Sequence, residues 1–215
     1  RRFGGSGSGF APMASPLTGF RRTIKTQSKG WDSYNIMQRR NTPAAISDYY
    51  YISGWLCQPS DGASVRWEGS SDRACLDSCR TRILFVSRDD SRIEVTVNDR
   101  DNRTFDIEGS PAVRQIVVHD DIRSLSFKVL SGAAETIGYG AIFESAPGVV
   151  VDNYSIRSNN GQAMFWTSPT VNAQINEMLG YDLVILQYGL NILEPGIRSF
   201  AKYGEQIEKM IAYVR

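Results

Sequence analysis

The chain has 215 residues and a formal net charge of +1 at pH 7, with 41% hydrophobic and 22% charged residues. This length suffices for one large domain or two small ones. The near-zero net charge gives no bulk electrostatic reason to expect a nucleic acid or an anionic membrane as partner. No apolar run reaches the roughly 18–20 residues of a membrane span, and no signal peptide is visible.

Residues 1–46 have the composition of an irregular segment, and the chain starts at Arg1 instead of Met. Within RRFGGSGSGF, Gly4 and Gly5 are typical of a helix end followed by a flexible turn. Its serines do not match the Gly-x-Ser-x-Gly pattern of a nucleophile elbow. Because of this beginning, and because the last residues are helical in pattern, we expect a piece of a longer protein.

Residues 47–145 contain short runs of strand composition separated by turn residues. In one run Ile93, Val95 and Val97 alternate with polar residues, which is typical of a half-buried strand. Eight short antiparallel strands at this spacing predict a β-sandwich or jelly roll. The predicted strands are residues 49–52, 64–67, 81–86, 92–97, 104–107, 114–119, 124–130 and 135–143.

Residues 146–215 change to an α/β pattern. Ser168 suits an N-cap, Pro169 the first helical turn and Gly180 the position after a helix end, so a helix is predicted over 168–180. The run YDLVILQYGLN at 181–191 follows, and its unbroken apolar stretch predicts a strand buried on both faces of a parallel sheet. Residues 197–214 predict an amphipathic helix.

The chain has three cysteines and one histidine. Cys57, Cys75 and Cys79 with one histidine make no convincing zinc site at this spacing. Cys75 and Cys79 fit either a small disulfide or two buried thiols. His119 follows an apparent strand, and such a histidine is more often a surface residue than a catalytic base.

Two short segments carry a family resemblance. Ser158-Asn159-Asn160-Gly161-Gln162 resembles the second conserved block of the SGNH (GDSL-like) hydrolases, and Gly189-Leu190-Asn191 resembles their third block. Ile192 stands where the fuller third block has an aspartate. The order of strand, glycine loop, helix, strand and Gly-x-Asn loop is also similar to that of the family.

The resemblance extends to the layout of the chain. Some bacterial cell-envelope esterases of this family carry a carbohydrate-binding-like β-sandwich between the nucleophile block and the glycine block. By this resemblance we expect an α/β fold: part of a three-layer α/β/α domain with an inserted β-sandwich or jelly roll. The expected parts are 1–46 (α/β domain and linker), 47–145 (insert) and 146–215 (α/β segment with both blocks).

The resemblance also implies a chemistry. In the family a serine attacks the ester carbonyl, a histidine takes its proton and an aspartate orients the histidine. Gly161 would give a backbone donor and Asn191 a side-chain donor to the oxyanion hole. Neither a Gly-Asp-Ser block nor an Asp-x-x-His motif occurs in the chain. We therefore expect the triad to lie before Arg1 and after Arg215, and the chain alone to be inactive.

Four further residues near the glycine loop are candidates for binding substrate. Asp152 and Arg157 flank the loop and could position substrate or pair locally, and Asn160 lies within it. Trp166, together with Phe165, could line an acyl or sugar pocket or serve only to dock the following helix. The expected substrate is an acylated carbohydrate, with no cofactor, metal, nucleic acid or membrane span. The expected location is the periplasm, cell envelope or extracellular space.

Two alternatives to the esterase remain. The first is a non-catalytic carbohydrate-binding β-sandwich with a remnant α/β domain. The aromatic residues of the β region suit stacking on sugar rings, and packing in a core or interface explains them equally well. A scaffold or assembly module would bind no sugar. In each case an incomplete α/β segment would leave apolar sheet edges exposed, which predicts a homo-oligomer or association with the missing segments of the same protein.

Overall fold

The computed structural model describes residues 7–16, 23–69, 79–145, 148–188 and 200–214. The chain divides into two compact units that each draw on two stretches of sequence. Residues 1–34 and 55–153 form one, here called the sheet unit. Residues 35–54 and 154–215 form the other, called the helical unit. Gly4, Gly5, Cys75 and Asn191 lie outside the described residues.

The sheet unit contains a nine-stranded sheet with the order β6-β5-β8-β3-β9-β4-β7, to which β1 adds by pairing with β9 and β2 by pairing with β3. Each strand pair with an assigned register is antiparallel. The strands are β1 (Gly9–Pro12), β2 (Ile24–Asn35), β3 (Trp55–Gly69), β4 (Arg80–Ser87), β5 (Ser91–Val97), β6 (Asp101–Ile107), β7 (Ser110–Val118), β8 (Ser124–Ser131) and β9 (Thr136–Glu144).

Alternation along the strands decides which side chains enter the core. In β5, Ile93, Val95 and Val97 are buried while Arg92 lies in solvent. Val95 stands opposite Phe127 of β8, whose ring is fully buried. A slip of one residue in this register would exchange the buried and exposed faces, so the apolar pattern specifies the pairing.

The sheet curls until distant strands meet across its core. Strands β8 and β4 are three places apart in the sheet order, which in a flat sheet would separate them by about 14 Å. Yet the rings of Phe85 and Phe127 have centroids 5.7 Å apart. Trp67 and Phe143 meet edge to face with centroids at 6.1 Å. Curling of the sheet therefore brings these side chains into one contiguous apolar core.

The helical unit contains two α-helices, α1 (Pro169–Leu179) and α2 (Phe200–Val214), and short 3₁₀ helices at Ile36–Asn41, Ser47–Tyr49 and Gln162–Trp166. Helix α1 has the predicted ends. The Val171 N–H donates to the Ser168 hydroxyl at 3.4 Å, and Gly180, at φ 61°, donates its N–H to the Asn176 carbonyl. None of the described helices is long and apolar enough to span a membrane.

The predicted fold class is wrong. The chain is dominated by one curled antiparallel sheet, and the described residues form no three-layer α/β/α domain. Residues 181–188, predicted as a buried parallel strand, have no regular structure; Leu183 is 74% and Ile185 77% exposed. An apolar run becomes a buried strand only where neighbouring strands supply hydrogen bonds, and no described residue pairs with this one. Residues 49–52, which were also predicted as a strand, instead include the last residue of a 3₁₀ helix and a turn.

Cys57 in β3 is expected to be chemically inert. Its side chain is fully buried, and its Sγ donates to the Ala14 carbonyl at 3.1 Å. Burial raises the pKa of this thiol from 9.0 to about 12, so almost no thiolate exists at neutral pH. Since unfolding releases the thiol to its ordinary pKa, its contribution to stability should be lost as pH rises from about 9 towards 12.

The measurement is the rate of alkylation of Cys57 in the native protein, followed by peptide mass spectrometry. We expect no modification within an hour at pH 8 and full modification in guanidinium chloride. Rapid native labelling would show that the β3 core opens. Cys75 lies outside the described residues, so the disulfide with Cys79 and the two unpaired thiols both stay predictions, but Cys79 itself is exposed and not buried.

Candidate active site

The glycine loop of the helical unit is shaped by its own asparagines. The Gly161 N–H donates to the Asn159 side-chain oxygen at 2.8 Å, and the Gln162 N–H donates to that of Asn160 at 3.1 Å. Ser158 and Gly161 both have positive φ, at 60° and 97°. These short side-chain turns hold the backbone without regular secondary structure. The loop is therefore fixed before any ligand arrives.

Helix α2 lies directly against this loop. Gln206 donates its side-chain N–H to the Asn160 carbonyl at 3.0 Å, and the buried Met210 side chain covers Gly161. A Cβ at position 161 would overlap the Met210 sulfur. Both the positive φ and the close approach of α2 thus require glycine here.

The structure describes only one of the two predicted oxyanion donors. The Gly161 N–H is occupied by Asn159 in this conformation, so it becomes a donor to substrate only when the Asn159 side chain turns away. Asn191 lies outside the described residues. The convergence of these two donors on one oxyanion stays a prediction.

Two aromatic residues follow the loop at the end of the 3₁₀ helix Gln162–Trp166. Phe165 is 40% and Trp166 37% exposed. The Phe165 ring packs edge to face on Tyr213 at 5.8 Å, and the Arg39 guanidinium carbon lies 4.5 Å from the Trp166 ring centre. Such a separation is that of a cation–π contact. Trp166 thus lies at the surface near the loop, where a ligand can reach it.

The other two candidates from the sequence belong to different units of the chain. Asp152 belongs to the sheet unit, where its carboxylate accepts a hydrogen bond from the Phe10 N–H at 2.8 Å and so holds β1. Arg157 belongs to the helical unit and is exposed. Their part in substrate binding stays a prediction. His119 is exposed just after β7, which confirms the prediction of a surface histidine.

A buried polar network underlies the aromatic residues and fixes both helices of the unit. Asn172 donates its amide to the Thr167 hydroxyl at 2.7 Å and to the Tyr213 hydroxyl at 3.0 Å. Its oxygen accepts from the Ile52 N–H at 3.1 Å. One side chain therefore joins α1, α2 and the segment before β3, and such satisfied networks favour a single arrangement.

Two tyrosines of the helical unit have raised pKa values. Burial raises the pKa of Tyr188, with a smaller contribution from Tyr203, and burial raises the pKa of Tyr203 as well. Both phenols therefore stay neutral at neutral pH. Among the described residues no group of three or more His, Cys, Asp or Glu side chains is placed to hold a metal ion.

Two residues of the cluster were not predicted from the sequence. Arg39 lies in a segment with no distinguishing pattern, and only folding brings it to Trp166. Asn172 did carry a signal, since it stands beside Val171 on the apolar side of a predicted helix. A polar residue at a buried helical position points to a hydrogen-bond network.

Comparison with known proteins gives a structural likeness only. No family model matches the chain, and no curated protein matches it in sequence. A structure of a peptidoglycan O-acetylesterase is similar over 97% of this chain and 54% of its own, with a TM-score of 0.64 and 20% identity. The chain thus spans about half the length of that protein.

Carbohydrate-binding modules of family 29 are more distant. One, in complex with mannohexaose, matches over 64% of this chain and 90% of its own, with a TM-score of 0.39 and 14% identity. Another covers 63% of this chain and 86% of its own, with a TM-score of 0.36 and 14% identity. These scores carry no argument about fold or ligand. The likeness to the esterase shows a shared fold.

Proposed function

We propose that the whole protein is a serine ester hydrolase of the SGNH type that removes acetyl groups from a cell-envelope polysaccharide such as peptidoglycan. One observation carries the proposal: the fold of nearly the entire chain is similar to half of a peptidoglycan O-acetylesterase. The glycine loop supports it, because Gln206 and Met210 of α2 hold the loop backbone, so the Gly161 N–H keeps its position when the Asn159 side chain turns away and releases it to the oxyanion.

The proposed reaction assigns this chain the stabilisation of negative charge. A serine outside the chain attacks the acetyl carbonyl, and its proton passes to a histidine. The Gly161 N–H and the Asn191 amide bind the oxyanion that forms. Its collapse breaks the C–O bond between the acetyl carbon and the sugar oxygen, and the histidine gives its proton to that oxygen, which leaves as a hydroxyl group. Water then releases acetate from the serine by the same steps.

The testing experiment is acetate release from O-acetylated peptidoglycan by the whole protein and by its Asn191→Ala variant. We expect kcat to fall by about 100-fold, because removing one fixed oxyanion donor typically costs that much. Asn176→Ala is the matched control, since Asn176 is an exposed asparagine on α1. It should retain kcat within about twofold.

The other outcomes would each contradict part of the proposal. An active protein with an unaffected Asn191→Ala variant would remove Asn191 from the oxyanion hole. A whole protein that releases no acetate but binds the polymer would establish the carbohydrate-binding module instead.

A further inference from the structure

The exposed guanidinium of Arg39 is placed by two anchored segments of the helical unit. Its own 3₁₀ helix, Ile36–Asn41, starts where the buried Ile36 donates its N–H to the Gly54 carbonyl at 2.9 Å. It ends where the Thr42 N–H donates to the Arg39 carbonyl at 3.0 Å. Both ends of this short helix are therefore held by hydrogen bonds.

Tyr50 joins this helix to the segment that carries Trp166. The Tyr50 hydroxyl and the Thr42 hydroxyl share a buried hydrogen bond of 2.7 Å. The Tyr50 carbonyl accepts the Ser168 N–H at 2.7 Å, two residues after Trp166. The contact between Arg39 and Trp166 thus rests on a common support, so it is held in place rather than formed by two independent surface side chains.

Within the part of the chain that the structure describes, Arg39 has no carboxylate partner. No ion pair or side-chain hydrogen bond joins its guanidinium to any described residue. A guanidinium has five N–H donors in a planar fork that matches a carboxylate. The site therefore offers unused donors above an exposed indole. The five-residue 3₁₀ helix Gln162–Trp166, about 10 Å long, separates Gly161 from Trp166 along the chain.

We propose that Arg39 and Trp166 form a specificity site that selects acetylated polysaccharides bearing carboxylates. The guanidinium would bind the carboxylate of a sugar residue in two hydrogen bonds, while the exposed part of the indole packs against the sugar ring. This inference rests on the proposed function, because it concerns a neighbouring sugar of the same polymer. Arg39 would determine which polymer binds and take no part in the chemistry.

The first test measures binding alone. Calorimetric titration of the whole protein with polygalacturonate is compared with titration by the same polymer after its carboxyl groups are reduced to alcohols. We expect Arg39→Gln to weaken polygalacturonate binding about fivefold, the size of an exposed ion pair, and to leave the reduced polymer unaffected. Arg39→Lys should recover part of the affinity. Added salt should weaken binding by the unmodified protein more than by Arg39→Gln.

Arg100→Gln is the matched control, since it removes one exposed positive charge from the sheet unit. It should leave both affinities unchanged. Equal binding of the two polymers by the unmodified protein, or equal losses in both arginine variants, would overturn the inference. Thermal unfolding of each variant verifies that the fold is retained.

The second test separates binding from chemistry. On acetylated polygalacturonate we expect Arg39→Gln to raise KM about fivefold with kcat unchanged, and to have no effect on a small acetyl ester. A fall in kcat on both substrates would contradict a role in specificity. A protein that releases no acetate but loses polygalacturonate binding in Arg39→Gln would refute the proposed esterase and retain the carboxylate site.

Discussion

Substituting Gly161 by alanine is expected to lower the stability of the whole protein by about 3 kcal/mol. Its φ of 97° costs an alanine about 1–2 kcal/mol. The new Cβ overlaps the sulfur of the buried Met210, and overpacking of this kind costs about 1–3 kcal/mol. The change is measured as the free energy of unfolding in urea. Displacement of the loop should also lower acetate release, since the 161 N–H moves with it.

Substitutions at two other glycines of the helical unit distinguish the backbone cost from the cost of the contact with Met210. Gly180 has a φ of 61° with open space around its Cβ position, so Gly180→Ala should cost only the backbone term of about 1–2 kcal/mol. Gly204 lies within α2, also in open space, and Gly204→Ala should add about 0.5–1 kcal/mol of stability. If Gly161→Ala cost no more than Gly180→Ala, the contact with Met210 would be disproved.

Truncating Phe127 in β8 to alanine is expected to cost about 3–5 kcal/mol. The ring is fully buried and meets both Phe85 and Trp31, at centroid distances of 5.7 and 6.2 Å. Since domains of this size are stable by about 5–15 kcal/mol, this loss removes a large share of the stability of the sheet unit. Urea titration followed by tryptophan fluorescence measures it.

Controls for this variant test the geometry of the core. Phe127→Leu keeps most of the volume and should cost distinctly less than the alanine. Phe105→Ala removes the same ring from β6, where the side chain is only half-buried at the sheet edge, and should cost about half as much. A loss at Phe127 no larger than at Phe105 would contradict the curled sheet.

Features that depend on local chemistry were predictable from the sequence. Helix α1 begins at Ser168 and Pro169 and ends before Gly180 because capping and left-handed backbone are properties of a few adjacent residues. The strands with clean alternation, such as β5, were likewise found, since a half-buried strand marks its two faces in the sequence.

Features that depend on residues distant in the sequence could not be predicted. The run at 183–186 has the composition of a buried strand, but composition records what a segment can bury and not whether a partner strand is present. The antiparallel sheet takes β1 and β2 from the first 46 residues, a segment with no strand alternation to detect. The Arg39–Trp166 contact joins residues on two separate segments, and no local pattern could indicate it.

The interleaving of the two units has a consequence for synthesis on the ribosome. Segment 35–54 belongs to the helical unit, yet its bond from the Ile52 N–H to Asn172 spans 120 residues. At about 5–20 residues per second, translation leaves this segment without its partner for roughly 6–24 s. Meanwhile the strands of the sheet unit can begin to pair. Tyr50 and Tyr51 are both buried in the folded protein, but their side chains stay accessible to chaperones until α1 has left the ribosome.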